Sequence, residues 1–304
     1  MTDATLTFEA PAALPLGTRS VGLGRRVRNA IAIGGIYLAV AVVLVPLAFL
    51  LYFVVRKGGA VMSWDFLTKD IPIRDSRAGP GMGPAVVGTL LITGAATMMA
   101  VPLGILGAIY VTEYGADNRL ANVIRFMSDV MAGVPSIVMG LFIYTIWVLR
   151  LKDNGPTAFA GALALACLML PIVIRAAESM LRLVPRELRE ASVALGARRS
   201  RTILTVVLPA ALPGITSGCL LAVARAAGET APLLFTIGIV TRPNTHLFSG
   251  RNTALSAQIF TNAQSPFVGA QQRAWGAAFA LIGIVLILTI VARVVSARFS
   301  VRER

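Results

Sequence analysis

Charged residues are scarce in this sequence. They account for 14% of its 304 residues, whereas soluble domains carry about 25%. Hydrophobic residues reach 56%, and they are gathered into long runs instead of alternating with polar residues. The composition therefore excludes a soluble globular protein and predicts a chain that crosses a membrane several times.

Residues that support catalysis or metal binding are also few. The two cysteines, Cys167 and Cys219, both lie in apolar runs, which excludes a disulfide framework and favours packing roles. The single histidine, His246, lies in a polar segment. No G-x-x-x-x-G-K-[ST], H-E-x-x-H, paired C-x-x-C or G-x-S-x-G motif occurs. We therefore expect a non-catalytic membrane subunit without cofactor or metal, so any ATP hydrolysis must belong to a separate subunit.

Six apolar stretches are long enough to cross a bilayer, which takes about 20 residues each. The predicted fold is all-α, with one transmembrane domain at 30–297 and cytoplasmic tails at 1–29 and 298–304. The fifth stretch is longer than one crossing needs and contains three prolines, which predicts a kink. The predicted spans are 30–55, 85–111, 123–149, 157–180, 206–240 and 275–297.

The basic residues predict the orientation of the spans. If the N-terminus is inside, sixteen of the 28 lysines and arginines fall on the cytoplasmic side and ten on the opposite side. This bias favours cytoplasmic N- and C-termini. It also explains the net charge of +14 by contact with membrane lipid, so no nucleic-acid partner is expected. The two remaining basic residues, Arg175 and Arg225, lie inside spans.

The loop between the fourth and fifth spans has a pattern of its own. It reads RLVPRELREASVALGARRSRTILTVVLP over residues 182–209. After Pro185, apolar residues recur at helical spacing from Leu188 to Leu195, and Gly196 is placed to end a short helix. Such a helix fits a cleft on another protein, although an ordinary amphipathic surface helix has the same pattern.

This loop is similar to the EAA loop of ABC import permeases, at about residues 186–209. The family pattern is E-A-A, three residues, G and, some nine residues later, I-x-L-P. The third position holds Ser192 and the isoleucine position holds Val206, two mild departures. The matching residues proposed to couple to the ATPase are Glu190, Ala191, Gly196, Leu208 and Pro209.

The resemblance to ABC import permeases implies the type I importer permease fold, with six transmembrane helices and a cytoplasmic coupling helix. In that family the loop docks into a groove of the cytoplasmic ATPase. A single loop of this kind in six spans also implies a second permease subunit and two copies of the ATPase.

Four further segments, in order along the chain, resemble the phosphate-specific transport permeases, closest to their A-type branch. They are GPAVVGTLLIT (83–93), SDVMAGVPSIVMGLF (128–142), LPIVIRAAESMLRLVPRELREASVALGA (170–197) and RAAGETAPLLFTIG (225–238). The resemblance implies import of inorganic phosphate across the bacterial inner membrane, together with an extracytoplasmic phosphate-binding protein. Residues 1–30 and 241–274 carry little of it.

Arginines within spans are costly, since a charge at the bilayer centre costs about 2.5–3.5 kcal/mol on insertion scales. In the resembled family, arginines that match Arg175 and Arg225 are implicated in phosphate translocation, and a glutamate matches Glu229. Guanidinium donors can replace the hydration of an oxyanion. Glu229 follows Arg225 by four residues, which predicts the same helical face and a partner when no substrate is bound. The alternative is a purely structural ion pair.

Other charged and flexible positions are open to two or three interpretations each. Glu178 is either a partner of Arg175 or an interfacial acid, which we favour. Asp129 pairs with a loop arginine, caps a kink or, less favoured, contacts substrate. Gly133, Pro135 and Gly140 allow close helix packing or a bend; they are part of the segment 128–142 quoted above.

Three other functions remain open from the residues. One is a regulatory or scaffolding membrane protein that senses phosphate and signals by contact, since the sequence shows no signalling domain. Arginine chemistry does not separate phosphate from sulfate, molybdate or tungstate. An ion-coupled carrier would transport without an ATPase and would commonly show an inverted repeat, which this sequence lacks.

Overall fold

A computed structural model describes most of the chain as α-helices. The described residues are 22–74, 76, 79, 81–115, 118–150 and 155–299. Most of the two predicted tails lies outside them. Helix α1 already begins at Leu23 and so takes in Arg25, Arg26 and Arg28, which were expected in the tail.

The chain divides into two compact units, one up to Tyr52 and one from Phe53. The described part of the first unit, residues 22–52, holds all but the last residue of the long apolar helix α1 (Leu23–Phe53), whose residues are all exposed. Pro46 lies within it. The helical course continues in the second unit through a π-helical turn at Val54–Gly58.

The second unit contains the remaining helices. A short helix, Trp64–Thr68, precedes α2, and Ser63 caps it by accepting a hydrogen bond from the amide of Phe66 at 3.1 Å. The longer helices are α2 (Gly83–Tyr114), α3 (Arg119–Gly133), α4 (Ser136–Leu149), α5 (Ala158–Leu183), α6 (Arg186–Ala194), α7 (Arg199–Gly228), α8 (Leu255–Ala263) and α9 (Val268–Phe299).

The predicted six spans are confirmed in number when α3 and α4 are counted as one bent span. Five other described helices are long and apolar enough to cross a membrane, and the α3–α4 pair is bent by 106°. The bend has a local cause: Val134 precedes Pro135, which disfavours helical backbone, and Val134 is extended with φ −72° and ψ 129°. Pro135 then occupies the N-cap position of α4. The predicted bend at this segment is thus confirmed.

Small residues allow α2, α5 and α7 to pack closely around the main core. A Cβ added at Gly104 of α2 would lie 2.6 Å from a methyl carbon of Val173 on α5. Close approach through small residues is the usual packing of membrane helices. Buried alanines of this core are Ala96, Ala100, Ala108, Ala162, Ala166, Ala177, Ala211, Ala222 and Ala226.

The fifth predicted span, 206–240, differs in its bounds from the observed helix. Helix α7 begins at Arg199 and ends at Gly228, and Glu229 already has extended backbone. The apolar residues after Pro232 form only a short turn, Leu233–Thr236. Leu233 is buried in the main core, so these residues cover other helices of the protein instead of continuing the membrane helix.

The segment between α7 and α9 contains a short helical turn, Leu233–Thr236, and helix α8. Its helix α8 is largely buried, although it carries Gln258 and Asn262. Their amides are satisfied internally: Gln258 Nε2 donates to Thr253 Oγ1 at 3.0 Å, and Asn262 Nδ2 donates to Gln258 Oε1 at 3.0 Å. Leu255 at the start of α8 belongs to a second core cluster with Phe66 and Met82.

Candidate functional site

Arg225 and Glu229 form an ion pair at the far end of α7. Arg225 Nε lies 3.4 Å from Glu229 Oε1. The predicted pairing is therefore present, but the predicted common helical face is wrong. The helix ends at Gly228, and Glu229 is the first residue beyond it, so its side chain reaches back to the last turn from extended backbone.

Two neighbouring elements fix the backbone around Glu229. Ser256 Oγ of α8 donates to the Glu229 carbonyl at 2.9 Å. Gly140 of α4 lies so close to Pro232 that an added Cβ would be 2.5 Å from the proline Cα. The predicted close packing at Gly140 is thereby confirmed, and the acid is held in place whatever its arginine partner does.

Arg175 on α5 pairs with Asp129 on α3. Both side chains are about half exposed, so the pair lines an open surface instead of the core. Glu178 is not the partner of Arg175: its Oε1 accepts from Arg125 Nε at 3.1 Å and from Arg182 Nη2 at 2.6 Å. Glu178 thus joins α3 to the end of α5, which fits the favoured interpretation as an interfacial acid.

The two arginines lie at different heights along the helices. Gly218 of α7 packs directly against Ala176, the residue after Arg175. Arg225 follows Gly218 by seven residues, which at 1.5 Å per residue places it about 10 Å farther from the α6 end of α7. In the described part of the chain, the two arginines share no hydrogen-bond or ion-pair partner. Arg175 and Arg225 therefore belong to two separate ion pairs and do not form one binding site.

The loop predicted to couple to an ATPase folds as expected. Pro185 precedes α6, and Gly196 ends it with φ +82°, a left-handed conformation that favours glycine. Two hydrogen bonds close the helix end as a Schellman motif: Gly196 N donates to Val193 O at 2.8 Å and Ala197 N donates to Ser192 O at 3.2 Å.

Among the residues that the structure describes, none covers the outer face of α6. Leu188, Val193 and Leu195 are 46%, 55% and 90% exposed. The motif residues Glu190, Ala191 and Gly196 are exposed as well. This is an unpartnered surface with an apolar centre and a charged edge.

Polar contacts hold the inner face of α6 to the end of α2. Arg189 Nη2 donates to Glu113 Oε1 at 2.8 Å, and the guanidinium also donates to the carbonyls of Val184 and Leu181. Glu113 is only 7% exposed. Arg199 at the start of α7 donates to the Glu113 carbonyl. The end of α2 is therefore tied to both sides of the loop.

The rest of the motif returns the chain to the core. Ser192, which replaces the usual alanine, shares a hydrogen bond with Thr202 at 2.9 Å between the two hydroxyl oxygens. Leu208 is half-buried against the main core, and Pro209 is exposed. The departure from the family pattern is thus accommodated by a bond between α6 and α7.

The sequence did not indicate the ion pairs formed by Glu113, Arg189 and Asp129. Glu113 and Arg189 are 76 positions apart, and Asp129 is on a different helix from Arg175. The one available signal is that Glu113 stands just after an apolar run, where an unpaired acid is costly. No group of three or more metal-ligating side chains occurs among the residues the structure describes.

Comparison with known proteins places the chain in a transport family. Residues 100–302 match the family described as binding-protein-dependent transport system inner membrane component. The chain resembles two structures of known transporters, a MetNI methionine ABC transporter in an inward-facing conformation and a bacterial ABC transporter that imports alginate. Their TM-scores are 0.57 and 0.56, at 17% and 16% identity, over 71% and 90% of this chain and 95% and 100% of theirs. At such identities they support the fold alone.

Sequence relatives are much closer. The phosphate transport system permease protein PstA 1 of Mycobacterium tuberculosis is 41% identical over 285 residues, which cover 92% of each chain. PstA of Yersinia pestis is 40% identical over 304 residues, or 97% of this chain and 98% of that one. The chain therefore belongs to the PstA family of phosphate transport system permeases, within the binding-protein-dependent inner membrane components.

Proposed function

We propose that this chain is one of two permease subunits of an ATP-driven importer and that it moves inorganic phosphate across the bacterial inner membrane into the cell. One observation carries the proposal. Arg175 and Arg225 project exposed guanidinium groups from long apolar helices and each pairs with one carboxylate, in a chain whose relatives are named phosphate transport permeases.

Exposure is the reason to assign these arginines to a path. The side chains of Arg175 and Arg225 are 56% and 69% exposed, and a charge that faces lipid tails at the bilayer centre costs about 2.5–3.5 kcal/mol. Contact of these side chains with water or with another protein avoids that cost. A path between this chain and a second, similar permease subunit supplies both.

Ion pairs of this kind can release their arginine to a substrate. An exposed pair contributes about 0–1 kcal/mol, whereas hydrogen bonds to charged groups contribute about 1.5–3 kcal/mol. Phosphate can thus displace Glu229 from Arg225, and Asp129 from Arg175. The carboxylate that is left can return when phosphate moves on, which keeps binding weak enough for release.

Coupling to ATP hydrolysis is assigned to α6. Its exposed apolar residues, Leu188, Val193 and Leu195, fit a groove of a cytoplasmic ATPase, of which two copies serve the two permeases. Arg189 and Glu113 transmit displacement of α6 to the end of α2. The α6 side is then cytoplasmic, as are both termini, and an extracytoplasmic phosphate-binding protein delivers substrate to the opposite side. The chain itself carries out no catalysis.

The test is ATP-dependent uptake of radiolabelled phosphate into proteoliposomes that hold the complete importer. Arg225→Gln removes the charge and keeps the side-chain bulk, so uptake should fall about ten-fold or more, since about 1.4 kcal/mol corresponds to a factor of ten. ATP hydrolysis and assembly should persist. Arg242→Gln is the matched control, because Arg242 is 88% exposed and lies outside the described helices.

Unchanged uptake in Arg225→Gln would make the Arg225–Glu229 pair structural and remove it from the path. Uptake of different oxyanions into the same proteoliposomes identifies the substrate. If sulfate, molybdate or tungstate is taken up and phosphate is not, the chain serves another oxyanion. If uptake proceeds without ATP and the ATPase subunit, the chain is a carrier of a different class.

A further inference from the structure

A basic cavity of about 730 Å³ lies where α6 joins the body of the protein. Its wall draws on α2, α3, α5, α6 and α7, and it is separate from the Arg225–Glu229 pair. Five arginines line it: Arg125, Arg182, Arg186, Arg189 and Arg199. We refer to it as the α6 cavity.

The carboxylates near the α6 cavity do not balance these arginines. Glu113 is engaged by Arg189, and Glu178 is shared between Arg125 and Arg182. Glu113 and Glu190 are the two acids on the wall, and Glu178 lies outside it. The five arginines therefore outnumber the carboxylates, and the cavity is basic.

Arg186 is the least engaged of the five arginines. It is exposed, and its guanidinium forms no hydrogen bond or ion pair with any residue in the described part of the chain. Arg182 is 61% exposed and uses one donor nitrogen on Glu178. Arg186 is also the first residue of α6, where free backbone amides favour an anion. Donors from α5 and α6 thus converge on one cavity.

We propose that the α6 cavity binds a phosphate group, held by Arg182 and Arg186 and by the unpaired amides of the first turn of α6. The group comes either from free inorganic phosphate or from the headgroup of an anionic lipid, since both present the same oxygens to arginine. The proposal rests on the proposed function only in placing this cavity on the cytoplasmic side.

Occupancy of the α6 cavity ties α6 to α5. Arg182 belongs to the last turn of α5, and Arg186 to the first turn of α6, with only Val184 and Pro185 between the two helices. A bound phosphate group crosslinks these turns, which fixes the angle of α6.

Binding is measured on the complete importer in phosphatidylcholine nanodiscs, without binding protein or ATP, by equilibrium dialysis against radiolabelled inorganic phosphate. Arg186→Gln should weaken binding at this site about ten-fold, as expected for loss of a charge-assisted bond. The control is Arg201→Gln, which removes the same charge from the same side but lies outside the cavity wall. Arg201→Gln should bind phosphate like the wild type.

A second arm uses nanodiscs that contain phosphatidylglycerol and counts retained lipids by native mass spectrometry. Fewer retained anionic lipids in Arg186→Gln than in wild type and Arg201→Gln identify a headgroup as the occupant. If Arg186→Gln matches the wild type in both arms, the proposal is overturned.

The two proposals fail independently. If the wild-type importer takes up no phosphate and the Arg186-dependent binding persists, the proposed function fails and the site stands. If uptake is normal and Arg186→Gln changes neither phosphate binding nor lipid retention, the site fails and the proposed function stands.

Discussion

Replacement of Glu113 by glutamine tests whether the end of α2 holds the coupling helix. Glu113→Gln keeps the shape and one acceptor oxygen but removes the charge that faces Arg189. The carboxylate is 9% exposed and the arginine 23%, so the pair is screened far less than a surface pair. Arg189 keeps its carbonyl acceptors at Leu181 and Val184, which prevents a fully uncompensated charge.

The size of the effect follows from these contacts. A hydrogen bond between charged groups contributes about 1.5–3 kcal/mol and a neutral one about 0.5–1.5 kcal/mol. The change from carboxylate to amide should therefore weaken the attachment of α6 by about 1.5 kcal/mol. Since about 1.4 kcal/mol is a factor of ten, local opening of α6 should become about ten times more frequent.

Hydrogen–deuterium exchange of the assembled importer reads this opening directly. Amides of Arg186–Ala194 should exchange about ten-fold faster in Glu113→Gln, and more ATP should be hydrolysed per phosphate imported. Glu187→Gln is the matched control, because Glu187 is an exposed carboxylate on α6 itself and is not part of the contact with α2. If exchange in Glu113→Gln equals that of the wild type, the Glu113–Arg189 pair does not hold the helix.

Two further substitutions test the packing of α2 against α5 and the role of the Arg175–Asp129 pair. Gly104→Ala forces a methyl group against Val173, whose side chain would lie 2.6 Å away. This overpacking should lower the free energy of unfolding by about 1–3 kcal/mol. Thermal unfolding in detergent measures the loss. Asp129→Asn removes the charge that competes for Arg175, so phosphate should be held more tightly there, with both KM and maximal uptake rate lowered in proteoliposomes.

Matched variants control both tests. Gly94→Ala adds the same methyl group to α2 where it meets no atom outside its own helix within 4 Å. Because alanine favours a helix over glycine by about 0.5–1 kcal/mol, its unfolding temperature should equal or slightly exceed that of the wild type. Asp65→Asn removes an exposed carboxylate that pairs with Lys69 and should leave uptake kinetics unchanged. Equal effects of Gly94→Ala and Gly104→Ala, or a raised KM in Asp129→Asn, would contradict the reasoning.

The membrane helices could be predicted because each is a local property of the sequence. Apolar runs of about 20 residues specify them, and Pro135 specifies the break between α3 and α4 through the backbone of Val134. The bounds of α6 were equally local, since Pro185 and Gly196 are short-range signals. These features do not depend on what the rest of the chain contacts.

Other features depend on contacts between distant residues, so hydropathy could not show them. The apolar residues after Gly228 look like a continuing span, but Leu233 is buried against other helices. Helix α8 carries the polar residues Gln258 and Asn262, but their amides bond within the protein, to Thr253 and to Gln258, so the helix is largely buried. The partner of Arg175 could not be predicted for the same reason. Asp129 lies on α3 and Arg175 on α5, and no residue near Arg175 in sequence indicates this pairing.

The bend at Val134 and Pro135 connects the surroundings of Arg175 with those of Arg225. Its first arm, α3, carries Asp129 beside Arg175. Its second arm, α4, packs through Gly140 on Pro232, three residues after Glu229. The backbone angle at Val134 therefore sets the distance between Asp129, which pairs with Arg175, and the Gly140–Pro232 contact that lies three residues after Glu229.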